Sequence, residues 1–298
     1  MRYIKYELSE KTTVRKFLLS KGYSKRSIEE ILSEGFLLNN QLSEKSKNLK
    51  TGDKLFVIIR DENIDYEPVR GNLKIIYEDR DTLVISKDPN ITVNSKGQIS
   101  LANYIAYYFK SNNINSKVRF VNRLDMDTSG LILVAKNKYA HAFYQKQIEN
   151  NEMIKKYIAI VGPNADLDML YEEKFAYDEK SKSYVVSEDG KTAKTIFKSL
   201  KLLEYRTIVE CQILTGKTHQ IRASLSSLGY PIFGDKLYGS DKNLDRFLLH
   251  SYKLSFRNFK DEENIKLVDY PNFISFRDEW WKQYNLHKSF SYYIIKSS

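Results

Sequence analysis

The first sixty residues carry apolar positions at two spacings, one typical of helices and one typical of strands. Val14, Phe17 and Leu18 repeat at three- and four-residue intervals, so they predict a helix that Thr12 or Thr13 can cap and that Gly22 would end. Ser24 is suited to cap a second helix, because its hydroxyl can accept a hydrogen bond from an early backbone amide. Short apolar runs then predict two strands around a turn, which completes a small α+β module. The apolar positions of the second helix and the strands are Ile28, Ile31, Leu32, Phe36–Leu38 and 55–59.

The pattern changes after this module. Residues 61–72 are polar and contain a proline and a glycine, so we interpret them as a linker. Beyond residue 73, many short apolar runs alternate with few helical patterns, which predicts an α+β fold with a mixed, mostly antiparallel sheet and flanking helices and loops. We expect a domain over 1–60 and a larger one over 73–298, whose aromatic end, 272–298, we do not assign. The predicted strands are 73–77, 83–87, 118–121, 131–135, 157–161, 192–197 and 207–214, and the predicted helices are 101–109, 139–148 and 219–227. The first two of these strands flank a polar turn, which predicts a hairpin.

Composition narrows the classes of function. The 298 residues include 48 basic and 38 acidic ones, and this net charge of +10 makes polyanions the first class of partner to consider. The single cysteine, Cys211, excludes internal disulfides and a cysteine-rich zinc site, and the four histidines lack a metal-binding spacing. Because apolar runs are short and charges interrupt the N-terminus, we expect a cytoplasmic protein that is not bound to a membrane.

A one-signed cluster of charge lies on the predicted helix pair. Between residues 11 and 26 there are six basic side chains and no acidic one, and they include Lys16, Lys25 and Arg26. Such a run is often no more than a solvated helix face. On two adjacent helices of a basic chain, it also indicates contact with the phosphates of a nucleic acid.

Two polar segments carry candidate chemistry. In 122–130, Arg123 and Asp125 are two residues apart, so in extended backbone they point the same way. Asp125 could be a nucleophile, a general base or a metal ligand, or Asp125 or Asp127 could simply cap a turn at residues 128–130.

The second segment, 214–222, contains Gly216-Lys217-Thr218 but lacks the earlier glycine of a phosphate-binding loop, because position 211 is Cys211. We predict a tight turn and a helix from about Thr218. Arg222 would lie one turn into that helix, where it could meet a carboxylate with both ends of its guanidinium. The alternative for His219 and Arg222 is a solvent-facing surface.

Taken together, these segments resemble the RluA family of RNA pseudouridine synthases, and residues 1–60 resemble an S4-type RNA-binding domain. The likeness covers the chain from about residue 73 to residue 256. Asn122 departs from the pattern, since many members have histidine there. The matching motifs are Arg123-Leu124-Asp125, Thr128-Ser129-Gly130, Ala135-Lys136, Lys156-Tyr157, Thr215 through Arg222, Gly229, Pro231, Gly234-Asp235, Tyr238-Gly239 and Leu249-His250.

The resemblance implies an isomerase that converts uridine to pseudouridine in structured RNA and needs no cofactor or metal. It assigns Asp125 as the essential carboxylate, Arg222 as its partner and Tyr157 as the residue that stacks on the uracil. Arg123 would enter the RNA, and Ile221 would close the pocket. Ribosomal RNA of the large subunit is the expected substrate, and a monomer is expected. The further expected RNA contacts are Thr128, His219, Lys16, Lys25 and Arg26.

Three alternatives stay open at this point. One is a synthase that modifies transfer RNA, and another is an RNA-binding protein with a degenerate core. A third is a metal-dependent RNA hydrolase that uses Asp125 and Asp127, for which the sequence supplies no further clustered ligand. A degenerate core has no reason to keep Asp125, Tyr157 and Arg222 together.

Overall fold

The computed structural model describes residues 2–95, 97–240 and 244–274, so most of the unassigned aromatic segment, with Trp280 and Trp281, lies outside the described residues. No helix within the described ranges is long and apolar enough to cross a membrane. The helices are α1 (Val14–Ser20), α2 (Lys25–Glu34), α3 (Leu101–Ser111), α4 (Lys138–Glu149) and α5 (Gln220–Ser227). The strands are β1 (Arg2–Glu7), β2 (Thr12–Thr13), β3 (Phe36–Leu38), β4 (Gln41–Ser43), β5 (Asn48–Leu49), β6 (Lys54–Ile59), β7 (Lys74–Glu78), β8 (Thr82–Lys87), β9 (Arg119–Phe120), β10 (Ser129–Ala135), β11 (Ile154–Val161), β12 (Asp168–Asp178), β13 (Ser183–Val186), β14 (Lys191–Leu203), β15 (Arg206–Ile213), β16 (Leu249–Arg257) and β17 (Asn264–Val268).

The N-terminal module packs α1 and α2 on a four-stranded sheet of order β1-β6-β3-β4. Both helix starts follow the predicted capping chemistry: the hydroxyl of Thr13 accepts from the Lys16 amide at 3.3 Å, and that of Ser24 from the Ser27 amide at 3.1 Å. Strand β1 was not predicted, because Ile4 is its only buried residue and its other positions show no apolar run.

The larger part of the chain folds around an eleven-stranded sheet, with the order β13-β12-β14-β15-β11-β16-β10-β8-β7 and with β17 and β9 paired beside it. Within the described residues, β10 and β16 form its one parallel pair, and the other pairs are antiparallel. The predicted α+β class with a mixed, mostly antiparallel sheet is therefore confirmed. The sequence missed β12 and β13, where apolar side chains such as Leu170 and Val186 are exposed, and β16, where polar residues are buried.

The module and the large sheet share one apolar cluster. The ring of Tyr23 lies 5.2 Å from that of Tyr139 and 6.3 Å from that of Phe259. Residues 61–72 have no helix or strand, as expected of a linker, but they are held in place: the carboxylate of Asp65 accepts from the Val118 amide at 2.9 Å.

Candidate active site

The loop between β9 and β10 presents Asp125. It turns at Met126 and Asp127, where the Thr128 amide donates to the Asp125 carbonyl at 3.2 Å. The predicted turn at residues 128–130 is thus wrong by two residues, because β10 already begins at Ser129. Gly130 has a φ of 109°, and a Cβ atom on it would lie 2.3 Å from the Ser251 carbonyl oxygen, so the close pairing with β16 requires glycine.

Two cationic side chains, Lys87 and Arg246, bind the backbone of this loop. The ammonium of Lys87 donates to the carbonyls of Met126, Asp88 and Ile91 at 2.6, 2.8 and 2.9 Å. Arg246 donates to the Asp127 carbonyl at 3.2 Å. Lys87 is buried, and this burial lowers its pKa to about 8. The backbone around Asp125 is therefore fixed by charged donors, which make the stronger hydrogen bonds.

Arg222 lies on α5 and joins Asp125 to a second carboxylate. Its Nε and Nη2 atoms donate to both oxygens of Asp235, at 2.7 and 2.9 Å, while Nη1 reaches Asp125 Oδ2 at 3.3 Å. The guanidinium also lies 4.3 Å from the ring centre of Phe247. Burial acts to lower the pKa of Arg222, but Asp235 and Asp125 outweigh it and raise that pKa. The bidentate partner of Arg222 is thus Asp235, and Asp125 receives a single contact.

A cleft of about 340 Å³ opens above these groups. The side chain of Asp125 is 28% exposed there, whereas that of Arg222 is 8% exposed, so the carboxylate alone is available to a ligand. Tyr157 is buried in the same lining, and its pKa is raised by burial and by the nearby Asp125. The Tyr157 hydroxyl therefore stays protonated, and its ring forms an apolar wall.

The structure brings most of the predicted site residues together. Lys16, Lys25 and Arg26 lie apart from the cleft, on the exposed surface of the N-terminal module. There Arg26 is 3.4 Å from Glu30, so part of the predicted basic cluster is neutralised within the chain. The predicted residues that line the cleft are Arg123, Asp125, Thr128, Tyr157, His219, Ile221 and Arg222.

His219 and Arg222 do not form the solvent-facing surface that was the alternative for them. His219 has a φ of 54° and directly precedes α5, which begins at Gln220 rather than near Thr218. Its Nδ1 atom lies 3.1 Å from the Tyr238 hydroxyl. Burial and the neighbouring Arg222 lower the pKa of His219. The imidazole is thereby kept neutral beside the cationic guanidinium.

Comparison with known proteins shows the family of the chain that carries this geometry. Residues 81–227 match the model of the family described as RNA pseudouridylate synthase. The protein named uncharacterized RNA pseudouridine synthase YhcT of Bacillus subtilis is 38% identical over 227 residues, 73% of each chain. The chain belongs to the RNA pseudouridine synthase family. It is therefore an isomerase that acts on RNA, as the resemblance implied.

Other relatives extend the match over more of this synthase. The protein named uncharacterized RNA pseudouridine synthase YjbO of Bacillus subtilis is 34% identical, and the alignment covers 85% of this chain and 93% of the relative. The ribosomal large subunit pseudouridine synthase D of Borreliella burgdorferi is 31% identical, with 81% and 80% covered. The solved structure of human RNA pseudouridylate synthase domain containing 1 is similar in fold, with a TM-score of 0.59, 23% identity, and 78% and 94% of the two chains covered.

Several polar residues of the synthase site were not predicted. Asp235 was named only as part of the matching Gly234-Asp235 motif, with no role. Nothing in the neighbouring sequence indicated Lys87 or Arg246, because their partners are backbone carbonyls. The Nδ1 atom of His250 shares a hydrogen bond of 2.8 Å with the Ser129 hydroxyl, and its Nε2 atom lies 3.3 Å from Asp269 Oδ2. These contacts join residues far apart in the chain, so only the fold reveals them.

Proposed function

We propose that this enzyme isomerises specific uridines in ribosomal RNA of the large subunit, with Asp125 as its essential carboxylate. The observation that carries the proposal is the partly exposed Asp125 in a 340 Å³ cleft, bound to the buried guanidinium of Arg222. A fixed cation beside a carboxylate favours its charged form and sets its direction. The relatives named as large-subunit synthases support ribosomal RNA as the substrate.

The reaction breaks the N1–C1′ bond of the uridine, turns the uracil and joins C5 to C1′, after which the proton on C5 leaves and N1 carries a proton in the product. Asp125 acts as an anion in each available route: addition to the uracil ring, capture of C1′, or removal of a proton from the sugar. Tyr157 offers an apolar ring against which the uracil stacks, and Ile221 closes the pocket. No step transfers electrons or a phosphoryl group, so the reaction uses no cofactor.

The target base has to leave its stack before Asp125 can reach it, at a cost of a few kcal/mol. Arg123 is exposed at the mouth of the cleft, and we assign it to the space that the base vacates. Residues 1–60 act as an S4-like RNA-binding domain, with Lys16, Lys25 and Arg26 near phosphates. We propose that the enzyme works as a monomer in the cytoplasm.

Release of tritium from RNA labelled at uracil C5 tests the reaction and its carboxylate. The wild-type protein should release tritium in the presence of a chelator, and Asp125→Ala should abolish release. Asp127→Ala is the matched control, because the described lining of the cleft does not include Asp127, and it should keep part of the activity. Release that requires magnesium, or that survives the loss of Asp125, contradicts the proposal and favours a hydrolase or a different site.

The substrate is tested separately by mapping pseudouridines in cells with and without this protein. Our proposal expects a site in the large-subunit ribosomal RNA to lose its pseudouridine. Loss confined to transfer RNA would replace the proposed target and leave the chemistry intact.

A further inference from the structure

Lys155 is a cation at the wall of the cleft whose side chain is largely buried and whose ammonium has no partner among the described residues. It is the second residue of β11 and is 7% exposed. No hydrogen bond or ion pair joins its ammonium to any residue of 2–95, 97–240 or 244–274. Burial lowers its pKa, with no neighbouring charge acting on it. Lys155 lines the same cleft as Asp125.

Other buried lysines of this protein are satisfied. Lys87 donates to three carbonyls, and Lys136 bonds to Glu78 and to the carbonyl of Asp79. The ammonium of Lys155 differs from theirs, because it bonds to no described residue and is not enclosed away from the cleft, so its hydrogen-bond donors remain available to a ligand. Lys155 therefore has the properties of a ligand-binding cation rather than of a structural one.

The surroundings select an anion. Asp125 is the one acidic residue in the described lining of the cleft, and Arg222 already contacts it. Lys155 shares that lining with Arg123 and Lys217, so the positive charges exceed the negative ones. In RNA the anionic group is the backbone phosphate, which a lysine ammonium binds as a point charge.

The position on the strand relates this cation to the target base. Lys155 and Tyr157 are two residues apart on β11, so their side chains point to the same side of the sheet, at a spacing of about 6–7 Å. A strand of RNA whose uracil stacks on Tyr157 thus passes its own backbone close to Lys155.

We propose that Lys155 binds a backbone phosphate next to the uridine that Tyr157 receives. The proposal rests on the proposed function, because it takes the cleft to hold a nucleotide. Lys155 then fixes the depth and direction of the strand, and it contributes to RNA affinity through charge.

The test compares Lys155→Met with Lys156→Met in the full-length protein. Lys156 is the matched control, since it lies next on β11, points to the other side and pairs with Glu210 at 2.7 Å. The probe is a short single-stranded RNA that contains one uridine. For Lys155→Met we expect about tenfold weaker binding and a slope of log affinity against log salt that is smaller by roughly 0.7, the value for one lost phosphate contact on single strands. Lys156→Met should bind like the wild type.

Three further measurements separate this role from a structural one. The melting temperature of Lys155→Met should not fall below that of the wild type, because the ammonium makes no hydrogen bond or ion pair to a described residue that the substitution could break. Lys155→Arg should restore the salt slope. On an RNA whose linkages beside the uridine are neutral methylphosphonates, wild type and Lys155→Met should bind equally.

Unchanged affinity and salt slope in Lys155→Met overturn the inference, and so does weaker binding that persists equally on the neutral RNA, which would indicate contact with a base. Failure of the proposed function has a different signature, because it is read from tritium release by Asp125→Ala. If Asp125 is essential for release while Lys155→Met binds normally, the inference alone is wrong.

Discussion

The cleft and the N-terminal module use charged residues in opposite ways. In the cleft, Arg222 and Asp235 are bound in a bidentate pair whose side chains are 8% and 1% exposed. In the module, Arg15 bonds to both oxygens of Glu29, but those side chains are 45% and 61% exposed. Of these two pairs of guanidinium and carboxylate, the one in the cleft is thus buried and the one in the module is exposed to water.

This difference determines what each pair can contribute. An exposed ion pair contributes about 0–1 kcal/mol, since water and salt compete for both partners. Removing one partner of a buried pair costs about 3–5 kcal/mol, because the other charge is left without compensation. We therefore expect the cleft to control the chemistry by orientation, and the module to add affinity through several weak, salt-sensitive contacts.

The largest effect is expected for Asp235→Asn. Arg222 would lose its bidentate partner and turn toward Asp125, which moves the carboxylate. We expect the free energy of unfolding to fall by about 3–5 kcal/mol and kcat to fall at least about 100-fold, as a misplacement of 1 Å can produce. Urea denaturation and tritium release measure the two quantities.

Glu29→Gln is the matched control, because it removes one carboxylate from the exposed pair of the module. It should change stability by no more than about 1 kcal/mol and leave kcat unaltered. Equal effects of the two substitutions would remove the distinction between the two regions.

A smaller loss is expected when the loop loses its support. Lys87→Met takes away the donor to the Met126 carbonyl and leaves three carbonyls without a partner. We expect kcat to fall between about 10- and 100-fold, while the affinity for RNA changes little, because Asp125 is displaced but the phosphate contacts remain. Lys136→Met is the control: it also removes a buried lysine, but one bonded to Glu78 at the far end of β10, so stability should fall and kcat should be kept. An unchanged kcat in Lys87→Met would mean that the loop holds its shape alone.

Much of the fold could be predicted from the sequence, because it depends on patterns of residues that are close together in the chain. Helix caps at Thr13 and Ser24 and the hairpin of β7 and β8 depend on neighbouring residues, and they occur as expected. The triad of Asp125, Tyr157 and Arg222 came from the resemblance and shares one cleft.

The remainder depends on contacts between distant residues. Asp235 meets Arg222 after a turn of the chain, and Lys155 is distinguished by having no partner within the described part of the chain, which no local pattern encodes. The strand Leu249–Arg257 buries histidine and serine because other parts of the sheet satisfy them, so its sequence lacks the apolar run that predicts a strand. Tertiary hydrogen bonds are thus the part of the structure that sequence patterns miss.

The third prediction concerns Asp269→Asn, which removes the charge from a buried carboxylate that is bonded to other side chains. Its effect on stability should depend on pH. Burial acts to raise the pKa of Asp269, but hydrogen bonds from His250, Ser86 and Lys74 outweigh it and lower that pKa to about 2. A lowered carboxyl pKa gives stability that is present above about pH 4 and is lost as the pH falls toward 2. At pH 7 the variant should be less stable by about 2 kcal/mol, at about 1.4 kcal/mol per pKa unit.

Denaturation curves of wild type and Asp269→Asn, recorded between pH 7 and pH 2, measure this difference. It should shrink steadily below about pH 4, where Asp269 becomes protonated in the unfolded chain, until the folded carboxylate is also protonated near pH 2. A constant difference down to pH 2 would show that the charge of Asp269 is not what stabilises the fold.

A weaker effect is expected for the double substitution Lys16→Gln with Lys25→Gln. Both side chains are exposed on the helix pair, so their loss should not alter the fold. If each contacts a phosphate of structured RNA, the slope of log affinity against log salt should fall by roughly 2, and kcat should be kept.

The control is Lys110→Gln with Lys260→Gln, which removes the same charge from exposed sites outside the module. Equal losses in both variants would reduce the role of the helix pair to net charge alone. Substitution is preferable to deletion of 1–60, since the module shares an apolar cluster with the large sheet.

The smallest effect is expected for the bridge between the module and the large sheet. Lys21 lies 2.9 Å from Glu262, and each side chain is 35% exposed. A cycle of Lys21→Met, Glu262→Gln and the double variant isolates the energy of that contact, provided that Arg257, which also bonds to Glu262, is kept. Urea denaturation should give a coupling below about 1 kcal/mol, because the partners are solvated and the apolar contacts of Tyr23 hold the module in place. A coupling above about 2 kcal/mol would show that an ion pair of the module behaves like one in the cleft. Degree of exposure would then no longer account for the difference between the two regions.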